Sequence, residues 1–292
     1  MSFEMSMSPI IPMDEKNFCP IAIRESLEND EGIIRMDSGK NFANKESASK
    51  WFIQFCKKIG TPLSQSSEGD LVLSVKDESF GHKDPRTRGP NTSNKLSFHS
   101  DRCDVIAFLC LCPAKKGGEN QIVQSFKVKE IIKEERPDLL KILEAKFPYK
   151  RHVVDLANKR PYVMQPIFSL KDNFFACSYL RVLIDRADSD EKCPNLSKIQ
   201  KEALDFLDEI CERPSIQQRF TMQKGELLLL NNWILLHRRT AFEDYLEQHK
   251  KRHLLRIWLS VPNSRPIDEA FIENYGSNLA GAVRGGFMKL PT

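Results

Sequence analysis

The run Val105-Ile106-Ala107-Phe108-Leu109-Cys110-Leu111 is apolar almost throughout and too short for a typical helix, so it reads as a buried strand. Directly before it, residues 95–104 form a polar stretch that carries the triplet His99-Ser100-Asp101. In extended chain residues i and i+2 share a face, which sets the His99 imidazole beside the Asp101 carboxylate. One nitrogen donor beside one oxygen donor is half of a metal site. Two histidines and a carboxylate with open positions form the donor set of non-haem Fe(II) oxygenases, so the other half has to be a distant histidine. Taken alone, the triplet equally fits a surface polar pair or a hydrogen-bonded couple.

Residues 1–45 hold Pro9, Pro12, Pro20, Gly32 and Gly39 with little periodicity, and they predict an extended lead-in. Over residues 46–59 the apolar positions Trp51, Phe52, Phe55, Cys56 and Ile59 recur at helical spacing until Gly60-Thr61-Pro62 ends them. A strand follows at residues 71–75, then a loop over residues 80–95 rich in Gly, Pro and Asn. That loop carries His82, Lys83, Arg86, Arg88 and Lys95 and runs straight into His99; it reads as solvated surface or as a lid over a site. Residues 128–146 predict helix broken at Pro137, and residues 196–211 an amphipathic helix stopped by Pro214. Between them, residues 162–164 and 174–177 predict strands separated by a turn at Lys171-Asp172-Asn173.

The last third says most about chemistry. Residues 225–237 read as strand, an Asn231-Asn232 turn, and a second strand that ends on His237. Residues 252–260 form a further strand, with His253, Leu255, Ile257 and Leu259 on one face and Arg252, Leu254, Arg256 and Trp258 on the other. Two arginines on one face of a buried strand call for anionic partners, because an unpaired buried guanidinium is costly. Many short strands with a few helices, and no repeat of fixed period, make an α+β fold that is mainly β, a sandwich or barrel with helical packing.

A chain of 292 residues with this pattern fits one domain with one large core. Its net charge of +4 is small for that length and does not by itself imply nucleic acid, for which a clustered basic face is expected; nucleic-acid binding through Arg284-Gly285-Gly286 would rest on three residues alone, so no nucleic-acid partner is expected. The eight cysteines are scattered without a Cys-x-x-Cys pair, as expected of free, mostly buried thiols in a reducing compartment. Met1-Ser2-Phe3-Glu4-Met5 lacks the basic start and apolar core of a signal peptide, and no apolar run is long enough to span a bilayer. A cytoplasmic protein with no membrane partner is therefore expected.

Four stretches in order resemble the taurine/2-oxoglutarate dioxygenase (TauD/TfdA) family: Phe98-His99-Ser100-Asp101, Gly117-Gly118-Glu119-Asn120, the run from Asn232 through His237 to Phe242, and Arg252-His253-Leu254-Leu255-Arg256. The resemblance implies a double-stranded β-helix (jelly-roll) core with flanking helices. It implies an oxygenase core at residues 46–262, between the lead-in at 1–45 and a C-terminal extension at 263–292. It further implies that His99, Asp101 and His237 bind Fe(II), leaving positions for 2-oxoglutarate and O2. Arg252 matches the arginine that pairs with the distal carboxylate of 2-oxoglutarate, a role suited to its planar fork. Arg256, roughly 13 Å further along an extended strand, is expected at the other end of the keto acid or on the substrate. Asn120 stands where many relatives have a threonine that bonds the keto acid; its amide can still donate. Asp101 is retained, whereas halogenating relatives replace the carboxylate with a small residue.

The implied activity is a dioxygenase that hydroxylates an unactivated C–H bond of a small molecule while 2-oxoglutarate becomes succinate and CO2. Desaturation or ring closure by the same family, and a non-catalytic metal-binding or interaction protein on the same scaffold, are the alternatives. The basic loop with Arg238 and Arg239 suggests an anionic substrate. A homo-oligomer is left open. Read one at a time, His237 also fits a core histidine bonded to backbone, and Arg252 and Arg256 fit a structural network with Glu243 and Asp244.

Overall fold

The computed structural model describes residues 7–14, 18–80, 89–156 and 160–288. The chain begins with β1 (Ile10–Pro12), α1 (Pro20–Asn29) and β2 (Ile33–Asp37), which corrects the expectation of an extended lead-in. Four of the five β2 residues are buried. The pattern was hidden by Arg35, a charge in mid-strand. Its Nε donates to Glu226 Oε1 at 2.7 Å and its guanidinium lies 3.9 Å over the Phe220 ring.

Helix α2 (Lys45–Ile59) forms as its periodicity predicts, with Asn44 and Ser47 bonding each other's backbone amides as a capping box. The strands β3 (Thr61–Leu63), β4 (Leu73–Val75), β5 (Val105–Cys112), β6 (Lys116–Gly117) and β7 (Asn120–Gln124) follow. Pro137 separates α3 (Ser125–Glu135) from α4 (Pro137–Leu143) as expected. Next come β8 (Lys146–Lys150) and β9 (Tyr162–Pro166), then a hairpin of β10 (Phe168–Lys171) and β11 (Phe174–Cys177) whose turn holds Asp172 and Asn173 at positive φ. The chain closes with α5 (Arg181–Asp188), α6 (Lys198–Glu212), β12 (Gln217–Phe220), β13 (Glu226–Asn231), β14 (Leu235–Arg239), β15 (Phe242–Glu243), β16 (His253–Ser260) and α7 (Ile272–Tyr275).

These elements make a mixed α/β fold. The larger, seven-stranded sheet runs β1-β2-β13-β5-β16-β3, with β4 also paired to β16; a three-stranded sheet runs β12-β7-β14. The middle strands β13, β5 and β16 are apolar on both faces because both faces are covered. Val105, Ala107, Leu109, Leu227, Leu229, Leu255, Ile257 and Leu259 pack with residues of α1 and α2. Ile106, Cys110, Leu228, Leu230, Leu254 and Trp258 point the other way and meet Ile122, Phe220 and Leu235 of the smaller sheet. The helices α3, α4 and α6 build a third apolar cluster with β8 to β11, and it includes Phe98 and Leu236, which directly precede His99 and His237 in the chain.

One buried carboxylate ties these layers together. Asp104 Oδ1 accepts from Trp233 Nε1 at 2.8 Å and Arg284 Nε at 2.7 Å, and its Oδ2 accepts from Ser260 Oγ at 2.9 Å and Val261 N at 3.1 Å. Arg284 is fully enclosed and also donates to the carbonyls of Arg265 and Leu279. Removing one member of such a pair strands the other charge in the interior. Asp104→Asn should therefore lower the unfolding free energy by about 3–5 kcal/mol, read from the denaturant midpoint at unchanged slope. Lys95→Ala, which removes one member of the exposed Lys95–Glu212 pair, should cost about 1 kcal/mol or less in the same assay.

Candidate active site

His99 lies in extended chain just before β5, not within a regular strand as expected, because it bridges two different neighbours, Leu180 and His237. His99 N donates to the His237 carbonyl at 3.1 Å and His237 N returns a bond to His99 O at 2.9 Å. This places two distant residues of the chain directly opposite each other. Asp101 is fixed by its own amide, which donates to Asn232 Oδ1 at 3.0 Å in the turn between β13 and β14. Candidate ligand atoms of His99, Asp101 and His237 all fall within 4.8 Å of one another. The two imidazoles are 4.5 Å apart by centroid, and His237 Nε2 is 3.5 Å from Asp101 Oδ2. Donors about 2.1 Å from one cation sit roughly 3–4 Å apart, so the spacing fits a bound metal after a small adjustment.

The electrostatics suit the same use. His99 Nδ1 lies 2.9 Å from the Ser97 carbonyl, so that nitrogen carries the proton and Nε2 is left with its lone pair toward the centre. Burial, with the neighbouring His237, brings the His99 pKa down to about 4, leaving the ring neutral at physiological pH. Burial alone would raise the pKa of Asp101. The Arg256 guanidinium and the hydrogen bond from His237 reverse this and hold the carboxyl well below its usual range. A neutral imidazole and an ionised carboxylate are the forms that ligate.

The expected arginines divide by partner. Arg252 is 3% exposed, its backbone N donates to Asp244 Oδ1 at 2.8 Å, and its Nη1 has no partner among the described residues. Burial brings its pKa down to about 10. Gly118, at φ +69, lies against it so closely that a Cβ there would come within 3.2 Å of Arg252 Nε. Arg256 is placed on the site's own carboxylate: its Nη1 is 3.4 Å and 3.5 Å from the two Asp101 oxygens, and its Nε donates to Gln65 Oε1 at 2.8 Å. Asn120 lines the same cavity, opposite Arg239 in the β7–β14 register, with Nδ2 3.5 Å from the Phe220 carbonyl. Arg238, by contrast, is taken up by a fork to Glu212 and a 2.6 Å bond to Gln121. Arg239 donates to the carbonyls of Asn94 and Thr240. The stretch at residues 81–88, which carries most of the basic loop, lies outside the described residues, while Lys95 is on Glu212.

All six expected site residues line one cavity of about 390 Å³. Sequence reasoning missed Gln65, whose amide also donates to the Leu71 and Arg256 carbonyls, and Arg102, Arg151 and Asp155 on the outer wall. No motif marks these four. The donor set, two imidazoles with one ionised carboxylate beside a buried guanidinium, fits Fe(II) and a dicarboxylate such as 2-oxoglutarate.

Comparison with known proteins agrees. The model of the taurine catabolism dioxygenase TauD, TfdA family matches residues 42–258. The chain belongs to the TauD/TfdA family. Among curated relatives it is 31% identical to FR-33289 synthase of Streptomyces rubellomurinus over 71% of this chain and 62% of that protein. It is 27% identical to the taurine hydroxylase-like protein SAT17 of Stachybotrys chartarum over 70% of this chain and 53% of that protein. The chain thus spans less than two thirds of the length of these relatives. Its fold is similar to that of an asparagine oxygenase solved with Fe(II), 3-hydroxyasparagine and succinate (TM-score 0.63, 16% identity, 82% of this chain and 79% of that one). It is also similar to the non-haem iron oxygenase OrfP in complex with (3S)-hydroxy-L-Arg (TM-score 0.60, 11% identity, 94% and 100%). The TauD/TfdA match encloses His99, Asp101, His237, Arg252 and Arg256 but stops before Asn274, Tyr275 and Phe287, which line the same cavity, and before Arg284. No helix among the described residues is long and apolar enough to cross a membrane.

The lowered pKa of His99 gives a direct check. In metal-free protein its ring carbon resonances should titrate with a midpoint near pH 4; a midpoint at the ordinary value near 6.5 would contradict the enclosure described above.

Proposed function

We propose that this chain is an Fe(II)- and 2-oxoglutarate-dependent dioxygenase that hydroxylates an unactivated C–H bond of a small molecule. The observation that carries the reading is the joint placement, in one cavity, of the His99–Asp101–His237 cluster and an unpaired, buried Arg252. The two facing sheets are read as the walls of a double-stranded β-helix.

His99 Nε2, Asp101 and His237 would hold the iron, and Arg252 the distal carboxylate of the keto acid. When bound, the metal and keto acid supply the oxidising power, with 2-oxoglutarate converted to succinate and CO2. The protein's own part is positioning. The Ser97 carbonyl sets the His99 tautomer, Arg256 with Gln65 orients the Asp101 carboxylate, and Gly118 leaves room for the Arg252 fork. Asn120 is the remaining donor on the keto-acid wall. Apolar walls from Phe108, Leu254 and Trp258 keep water from the centre.

Anaerobic addition of Fe(II) and 2-oxoglutarate should produce a visible charge-transfer band, and His99→Ala should abolish it. Arg252→Gln should keep the band while weakening 2-oxoglutarate on the order of 10–100-fold, the worth of a charged hydrogen bond. Intact, folded protein that gives no band would refute the assignment.

A further inference from the structure

Beyond the metal cluster, the outer lobe of the cavity has two kinds of polar wall. One is complete in itself: Tyr149 donates to the Ser178 carbonyl at 2.7 Å, Gln165 Nε2 to Ser178 Oγ at 2.9 Å, Ser178 Oγ bonds Tyr275 Oη at 3.0 Å, and Asn274 donates to Gln165 Oε1 at 3.1 Å. The other is not. Arg102 and Arg151 converge on a single oxygen of Asp155, at 2.9 Å and 3.7 Å, and that carboxylate is 1% exposed. Arg151 reaches Glu273 at 3.4 Å, but Glu273 also serves Arg160 at 3.0 Å and is 37% exposed. Arg102 Nε, and Nε and Nη1 of Arg151, whose side chain is only 8% exposed, are buried with no hydrogen-bond partner among the described residues; of the acceptors beside them, Asp155 Oδ1 is likewise buried and unpartnered.

Arg102, Arg151 and Arg160 against Asp155 and Glu273 leave one positive charge over, and the three orphan donors outnumber the one orphan acceptor; buried donors left unmade are costly enough that a working molecule pairs them. The position of the group matters as much as its charge. Arg102 directly follows Asp101, and its guanidinium lies 5.2 Å over the Phe287 ring, which itself packs 5.5 Å from Trp258. Trp258, in β16, is six residues after Arg252, about 20 Å of extended chain, and Arg256, on Asp101, stands between them in sequence. The unfilled arginines therefore occupy the opposite side of the His99–Asp101–His237 cluster from Arg252.

We infer that Arg102 and Arg151 form the subsite for an oxyanion carried by the substrate: a carboxylate, sulfonate or phosphonate held as far from the keto-acid end as the cavity allows. Asp155 orients the two forks and does not itself bind the anion. The inference rests on the oxygenase reading only in calling the ligand a substrate; anion binding stands on the arginines alone. It also moves the source of anion selectivity away from Arg238, whose charge is spent on Glu212.

The test uses the holoprotein, loaded anaerobically with Fe(II) and 2-oxoglutarate, titrated calorimetrically with butyrate, propanesulfonate and propylphosphonate, and with butyramide as the uncharged control. At least one of the acids should bind and the amide should not. Arg102→Gln and Arg151→Gln should each weaken the acids tenfold or more, and Arg151→Lys should lose less than Arg151→Gln. The charge-transfer band reports whether the metal site survives in each variant. If the variants do not fold, the wild-type contrast between acids and amide, and competition by inorganic sulfate, decide the matter. No binding of any acid, equal binding of the amide, or affinities within twofold of wild type in both glutamine variants would overturn the subsite. Absence of the band in wild-type protein that still binds the acids would overturn the oxygenase reading and leave the subsite standing.

Discussion

The geometry of the site depends on the four hydrogen bonds received by Asp104. Its carboxylate joins the segment after Asp101, the turn before His237, the end of β16 and the C-terminal stretch through Arg284. Trp233 and Asn232 occupy that one turn, and while Trp233 binds Asp104, Asn232 takes the Asp101 amide. The distance between the two halves of the metal cluster is thus set by a buried polar knot three residues from one half and four from the other. Every acceptor lone pair in such a knot has a donor to meet, so it resists shear in a way that apolar packing alone does not.

Charge in this cavity is governed by which guanidiniums are already answered. Arg252, just before β16, and Arg256, within it, line the same cavity, yet Arg256 is held by Asp101 and Gln65 while the side chain of Arg252 is left with an unpaired Nη1. Arg238 is turned to Glu212, whereas Arg239 donates to two backbone carbonyls and, like Arg252, keeps a buried Nη1 without a partner among the described residues. Counting basic residues along the chain therefore overstates what a ligand can meet.

Much of this was legible from the chain, and what was not has physical causes. Helical periodicity marked α2 and α6, and the two-faced apolar runs marked β5, β13 and β16, because tertiary burial there agrees with local pattern. Strand β2 escaped because its central Arg35 is neutralised by Glu226, a residue 191 positions away. The pairing of His99 with His237 was inferred from family likeness; spacing could not supply it, since the contact is a backbone bridge between distant segments. Asp104 carries no local mark of its four partners, and Arg284-Gly285-Gly286 reads in sequence only as a three-residue candidate for nucleic-acid binding, because the partners of both residues lie far along the chain. The glycines after Arg284 are needed for the chain to pass close by: a Cβ on Gly285 would come within 2.5 Å of the Arg102 carbonyl.

That last contact links the structural knot to the ligand wall. Gly286 N donates to the Arg102 carbonyl at 2.8 Å and Gly285 N to the Tyr275 carbonyl at 2.7 Å, so the segment that delivers Arg284 to Asp104 also fixes the backbone of Arg102 and of the outer wall. Phe287, next in the chain, then supplies the ring under the Arg102 guanidinium. The same four residues, 284–287, thereby hold the metal side rigid and shape the far end of the cavity. A substrate gripped at that end has its reactive carbon placed by the length of the molecule between the charged group and the metal cluster. The neutral, internally satisfied wall of Tyr149, Gln165 and Ser178 has then only to confine it.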